Sequence, residues 1–202
     1  MSRNIIAILR GINPHEAADI CAVLVEEGIT RIEVPLNSPD PLNSIAQMAD
    51  CTDENVIIGA GTVLSVEDVA NVKTAGGEMI VSPNADIDVI AASKAAGMLS
   101  YPGVMTPTEC FAALKAGADG LKIFPSFLIG VEGLKAINAV LPKGTQTYAV
   151  GGVGPHNFAD WISAGAAGFG IGTGIYKPGY TVAEVRQHAR EIVKAYDRVT
   201  GQ

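Results

Sequence analysis

Eight short runs of apolar, mostly β-branched residues recur along this chain at nearly even intervals, and that rhythm restricts its fold more than any other feature. The runs are Ile5–Arg10, Arg31–Leu36, Asn55–Thr62, Glu78–Pro83, Leu99–Val104, Gly120–Pro125, Gln146–Gly152 and Gly168–Ile175. Their starts lie roughly 20 to 26 residues apart, which leaves room for one helix of about 10 to 14 residues and two short loops between neighbours. The runs are nearly continuous in apolar character, as expected of parallel strands covered on both faces.

Helix signals fill the intervals. Asn13-Pro14 sets a cap residue before a proline, and Gly28 stands where a helix over His15–Glu27 should stop. Ser65 with Asp68 resembles a capping box and opens a helix that ends at Gly76-Gly77, while Thr106-Pro107 and Gly154-Pro155 are expected to open helices as Asn13-Pro14 does. Four helix exits look alike: Lys73-Thr74-Ala75-Gly76, Lys94-Ala95-Ala96-Gly97, Lys115-Ala116-Gly117-Ala118 and Ser163-Ala164-Gly165-Ala166. A βα unit is repeated, with small residues where each helix turns back beneath the strands.

Eight such units predict an α/β fold, a closed (β/α)8 barrel formed by residues 1–202 as a single domain close to the minimum size for that architecture. An open doubly wound sheet would carry a Gly-x-Gly-x-x-Gly fingerprint after its first strand, where this chain has Arg10-Gly11.

Lys and Arg number 14 against 21 Asp and Glu, a net charge of −7, which argues against nucleic-acid partners and anionic membrane surfaces. Only 17% of residues are charged while 48% are apolar, so contacts between subunits are expected. No run approaches the roughly 18 apolar residues of a membrane span, and no signal peptide is recognisable. Cys21, Cys51 and Cys110 are odd in number and widely spaced, suggesting reduced thiols and a cytoplasmic location. His15, His156 and His188 show no ligand spacing, so no metal is expected.

In a barrel, side chains at the C-terminal ends of strands face the active site, so charges inside apolar runs are informative. Among eight lysines only Lys122 lies within a run, and among the acidic residues only Glu33 is similarly enclosed by apolar neighbours; Arg10 ends the first run. A lysine so enclosed loses part of its preference for the ammonium form and can attack a carbonyl to give a Schiff base, with a neighbouring glutamate moving protons. The same two residues also suit a buried ion pair. Val150-Gly151-Gly152-Val153 and Gly170-Ile171-Gly172-Thr173-Gly174 end the last two runs, where backbone N–H groups of such barrels bind phosphate, with the Thr173 hydroxyl as a further donor; tight turns alone would also use these glycines. Thr62 places a hydroxyl at a strand end or merely enters the next helix. Pro83 shapes the pocket or makes an ordinary turn. Phe124, two residues after Lys122, supplies an apolar wall or fills the core.

Taken together, Ile6-Ala7-Ile8-Leu9-Arg10-Gly11, Ile32-Glu33-Val34-Pro35-Leu36-Asn37-Ser38, Gly59-Ala60-Gly61-Thr62-Val63-Leu64, Gly120-Leu121-Lys122-Ile123-Phe124-Pro125, Val150-Gly151-Gly152 and Gly170-Ile171-Gly172-Thr173 resemble the small class I aldolases that cleave 2-keto-3-deoxy-6-phospho sugar acids. The resemblance runs from about Ile5 to Tyr196. Asn37 stands where members acting on the gluconate epimer typically carry arginine, which tilts the expected substrate to the galactonate epimer. Thr173 stands where serine is often found.

The resemblance implies that Lys122 forms the Schiff base with the C2 ketone and that Glu33 handles the protons of the carbinolamine and the C4 hydroxyl. Pyruvate and glyceraldehyde 3-phosphate would be the products. Arg10 and Thr62 would hold the carboxylate and nearby oxygens, and Gly151, Gly152, Gly172 and Thr173 the phosphate. It further implies a homotrimer with no cofactor beyond the lysine imine. A barrel decarboxylase or epimerase would want an Asp-x-Lys pair or metal-binding carboxylates, whereas Asp119 is three residues from Lys122. A non-catalytic sugar-phosphate-binding barrel remains the other alternative.

Overall fold

The structure is a computed structural model and describes residues 3–201. Nine parallel strands, β1 (Ile5–Ile8), β2 (Arg31–Pro35), β3 (Ile57–Gly61), β4 (Met79–Val81), β5 (Leu99–Tyr101), β6 (Gly103–Val104), β7 (Leu121–Ile123), β8 (Thr147–Val150) and β9 (Gly168–Ile171), are ordered β5-β4-β3-β2-β1-β9-β8-β7-β6. β5 and β6 are halves of one run divided at Pro102, so the two ends of that order are continuous in the chain and the sheet closes into a ring of eight places. The expected unbroken strand Leu99–Val104 is interrupted because proline has no N–H for the ladder. Closure survives the interruption: the Pro102 carbonyl accepts from the Lys122 amide at 2.9 Å. The architecture is the expected (β/α)8 barrel.

Helices α1 (Pro14–Glu26), α2 (Pro41–Asp50), α3 (Val66–Thr74), α4 (Ile87–Ala95), α5 (Pro107–Lys115), α6 (Ser126–Asn138), α7 (Phe158–Ser163) and α8 (Val182–Thr200) alternate with the strands. The caps are largely those expected. Ser65 Oγ accepts from the Asp68 amide at 3.1 Å, and Glu109 reaches back to the Thr106 amide at 2.8 Å. Gly154-Pro155 does not open a helix. Asn157 Oδ1 accepts from the Gly154 amide at 3.0 Å and its Nδ2 donates to the Gly152 carbonyl at 2.9 Å, winding the segment into a turn, and α7 starts only at Phe158. His156 therefore lies in a turn and not in a first helical turn.

The four look-alike exits share one geometry. After α3, the Gly77 amide donates to the Val72 carbonyl at 2.9 Å and the Gly76 amide to the Lys73 carbonyl at 3.1 Å, and the same pair of bonds follows α4, α5 and α7. That motif needs a left-handed residue after the cap, which Gly76, Gly97, Gly117 and Gly165 supply with φ between 71° and 99°. The turn returns the chain sharply into the next strand, which is why the repeat reads so plainly in sequence.

Each strand has two buried faces. Outward residues such as Ile5, Ala7, Ile32, Val34, Ile58, Leu121 and Phe169 pack with the helices, while Ile6, Met79, Val81, Tyr101 and Tyr148 form a second cluster within the ring. Two tyrosines crowd that lumen, their rings edge to face at 5.2 Å. Gly120, immediately before β7, leaves room for them: a Cβ there would lie 2.9 Å from Tyr101 and 3.0 Å from Tyr148 ring atoms.

Candidate active site

The strands end earlier than the apolar runs do, so Arg10, Thr62, Pro83, Phe124, Gly151, Gly152, Gly172 and Thr173 all lie just beyond strand C-termini, in the loops at one mouth of the barrel. Lys122 and Glu33 sit deeper, within β7 and β2. Counting round the ring through β2, β1, β9, β8 and β7, those strands are four places apart out of eight, so the two side chains approach across the lumen from opposite walls. Glu33, Val81, Lys122 and Gly170, one from each alternate strand, border the same small space, as the layered interior of such barrels requires.

Both groups are almost wholly buried, Lys122 at 6% exposure and Glu33 at 1%. Among the described residues the ion pairs lie at helix faces and barrel ends, and none joins Lys122 to Glu33 within 4.0 Å. The Glu33 Oε2 atom has no hydrogen-bond partner within the protein. A structural ion pair would satisfy both partners directly; this arrangement leaves the charges coupled but uncapped. Asp119, the potential partner in other barrel chemistries, instead binds Lys94 at 2.6 Å and the Ser100 amide at 2.8 Å at the opposite end of the strand.

Burial sets the proton affinities. It pushes the Glu33 carboxyl up to about 7, against the opposing pull of the Lys122 and Arg10 charges. Burial likewise lowers the Lys122 ammonium from the ordinary lysine range, with Glu33 opposing and Arg10 assisting. A carboxyl near 7 exists in both forms at neutral pH, as a group that both takes and returns protons should. Lys122 Nζ rests 4.7 Å from the centroid of the Phe124 ring, and Phe124 also lines the cleft beside the pair.

Beside this pair opens a cleft of about 200 Å³, lined by Arg10, Phe124, Gly151, Gly152, Gly172 and Thr173 among others. Six of the candidate residues thus meet in one space. Gly151 and Gly152 have φ of 96° and 74°. Their carbonyls are held by Ser126 Oγ at 2.6 Å and Asn157 Nδ2 at 2.9 Å, and turns of this kind offer consecutive N–H groups to an anion. Arg10 donates to Asn37 Oδ1 at 2.6 Å, and the adjacent Gly11 amide to Ser38 Oγ at 2.9 Å, so the loop after β2 props the corner that carries the guanidinium.

Thr62 and Pro83 do not border that cleft; they follow β3 and β4 on the other side of Glu33. Thr62 adopts φ 56°, a left-handed conformation that a β-branched residue enters at a cost of about 1–3 kcal/mol. Pro83 lies against the next strand, where its carbonyl occupies the space a Gly103 side chain would need. Sequence reading missed the props Ser38, Ser126 and Asn157. Ordinary polar residues in loops carry no periodic or charge signal. A roomier hollow of about 320 Å³ lies at the opposite face, lined by Asp50, Asp53, Glu54 and Glu78 among others, and holds none of these groups.

A family model described as KDPG and KHG aldolase matches residues 1–188. The chain belongs to the KDPG and KHG aldolase family. Members of this family are class I aldolases, which are lyases, and relatives span nearly the whole chain. It is 47% identical over 201 residues, covering 100% of this chain and 95% of the other, to a protein of Rhizobium meliloti (strain 1021) named probable 2-dehydro-3-deoxy-6-phosphogalactonate aldolase. It is 45% identical to the 2-dehydro-3-deoxy-6-phosphogalactonate aldolase of Escherichia coli (strain K12), over 95% of this chain and 94% of that one. A structure described as native KDPGal superposes with a TM-score of 0.97 at 43% identity, covering 100% of this chain and 98% of that one. By contrast, a 2-dehydro-3-deoxy-phosphogluconate aldolase of Treponema pallidum (strain Nichols) is 30% identical over 73% of this chain and 70% of its own.

Proposed function

We propose that residues 1–202 work as one aldolase domain that cleaves 2-dehydro-3-deoxy-6-phosphogalactonate into pyruvate and glyceraldehyde 3-phosphate, with Lys122 as the imine-forming nucleophile and Glu33 as the proton carrier. The observation that carries the reading is the meeting of a buried lysine and a buried, unpaired carboxylate across the lumen, beside a glycine-lined cleft. Neutral Lys122 Nζ adds to the C2 carbonyl, and loss of water from the carbinolamine gives a protonated imine. Glu33 takes the C4 hydroxyl proton, the C3–C4 bond breaks, and its electrons flow into the iminium as an enamine while the aldehyde departs. Glu33 then returns a proton to C3, and water releases pyruvate from the lysine. The iminium is the electron sink, so the chemistry requires no metal or cofactor.

Gly151, Gly152, Gly172 and Thr173 hold the phosphate. Arg10, in the wall of the same cleft, adds its charge to substrate binding. Thr62 and Pro83, on the far side of Glu33, face the carboxylate end. The sequence tilt to the galacto epimer at Asn37 agrees with the greater identity to the two galactonate-named relatives. The deciding experiment is a retro-aldol assay on the two C4 epimers with pyruvate as the readout. The galactonate epimer should show the higher kcat/KM, and equal or greater activity on the gluconate epimer would overturn the substrate assignment.

The proposal includes a homotrimer in the cytoplasm. Phe127 and Leu128, at the start of α6, are 63% and 64% exposed in the single chain, the kind of apolar surface that subunit contacts cover. No helix among the described residues is long and apolar enough to cross a membrane. Sedimentation equilibrium should return three chains per particle; a monomer would overturn that part.

A further inference from the structure

Gly61 ends β3 immediately before Thr62, on the strand next to the one that carries Glu33. A glycine in a strand is usually explained by its backbone angles or by a neighbouring main chain. Neither explanation holds here. Gly61 is absent from the positive-φ residues, so an L side chain fits its backbone conformation. The three atoms nearest to a Cβ built at this position are Glu33 Oε2, Cδ and Oε1, all of them within overlap distance and none belonging to a backbone. Gly59, two residues earlier on the same face, differs: its Cβ would strike the main chain of Met79, which no rotamer change relieves.

The carboxylate of Glu33 therefore occupies the volume that a side chain at position 61 would fill. We propose that Gly61 is a positioning residue whose missing side chain is the slot that seats the Glu33 carboxylate for proton transfer beside Lys122. The inference rests on the reading of Glu33 as the proton carrier. Because the obstructing atoms are the far end of a flexible side chain, a methyl at position 61 moves Glu33 more readily than it moves the barrel. The cost falls on proton transfer ahead of folding.

The test uses exchange of pyruvate methyl hydrogens for deuterium in D2O, followed by proton NMR, which needs only the imine at Lys122 and a base. Glu33→Gln should slow exchange by roughly 10²–10⁴-fold. Gly61→Ala should slow it by roughly 10–10³-fold, keep the borohydride-trapped pyruvate adduct on Lys122, and displace the acidic limb of the exchange–pH profile. The double variant should exchange no more slowly than Glu33→Gln alone, since both changes remove one function. Wild-type exchange in Gly61→Ala, or losses that multiply in the double variant, would overturn the proposal. Wild-type exchange in Glu33→Gln would instead remove the reading of Glu33 and the proposal with it. A melting experiment covers failure to fold: Gly61→Ala should lower Tm in the native background and be tolerated beside Glu33→Ala, where the slot is vacant. Equal destabilisation in both backgrounds, or no folding in either, would also overturn the slot.

Discussion

The ammonium of Lys122 lies over the ring of Phe124, 4.7 Å from its centroid, so the one lysine set among apolar strands has an aromatic face against its charge. Burial favours loss of that charge and Glu33 opposes it; the ring face adds a cation–π attraction that serves equally for the protonated imine that replaces the ammonium. Removing the ring should weaken the iminium by about 0.5–2 kcal/mol, or about 2- to 30-fold in rate. Phe124→Leu is expected to lower kcat within that range while pyruvate still labels Lys122 under borohydride. Unchanged kcat would make the ring mere filling.

Labelling also isolates Lys122 itself. Borohydride with pyruvate should fix a three-carbon adduct on the peptide containing Lys122, and the seven other lysines, which lie in helices and loops outside the lumen, should label far more slowly. Lys122→Arg should abolish both adduct and activity, since a guanidinium does not give up its proton. Peptide mass mapping decides the matter, and an adduct spread over the surface would refute Lys122 as the nucleophile.

Glu33 links activity and stability to pH in opposite senses. Its carboxyl is raised to about 7 in the folded chain, so the form that accepts protons grows as pH rises, and kcat/KM should have an acidic limb near that value. Stability runs the other way. A carboxyl raised by folding binds its proton more tightly in the native state, so its contribution is complete below the unfolded value near 4.5 and is lost as pH rises through about 7. The loss is roughly 3 kcal/mol across that window. Glu33→Gln should flatten the limb and reduce the fall in Tm between pH 5 and 8, measured by calorimetry in matched buffers. A wild-type Tm that rises over the same interval would contradict the sign.

Thr62 carries strain that a better-suited residue should release. Asparagine tolerates the left-handed region where threonine does not, so Thr62→Asn is expected to raise Tm by roughly 2–4 °C. If the threonine hydroxyl holds the substrate carboxylate, kcat/KM should fall by about 10- to 100-fold, the worth of one hydrogen bond to a charged group. A more stable variant with wild-type kinetics would show that the hydroxyl takes no part.

Much of this was legible because particular residues admit one explanation. The Gly76, Gly97, Gly117 and Gly165 exits announce themselves, since a helix that must reverse into a strand needs a left-handed residue at that point. Lys122 stands out because burying an amine in an apolar strand is costly, and chains rarely do so without a use for it. Other features stayed hidden because they depend on what arrives from elsewhere. The proline of Gly154-Pro155 reads as a helix start until Asn157 folds back on the preceding turn. Pro102 reads as part of a strand, although only its carbonyl joins the ladder. The Gly-Ala-Gly of β3 does not say that one glycine yields to a main chain and the other to a carboxylate from the next strand.

The crowding of Tyr101 and Tyr148 against Gly120 bears on how this barrel can change over evolutionary time. Lumen volume is shared among strands that are distant in sequence, so growth at position 120 presses on two other strands at once. An alanine at position 120 crowds both rings and is tolerated best in a lineage that has already traded these tyrosines for something smaller. Substitutions inside the ring should therefore arrive as correlated pairs in a preferred order, shrinkage before enlargement, while the solvent faces of the outer helices drift one residue at a time.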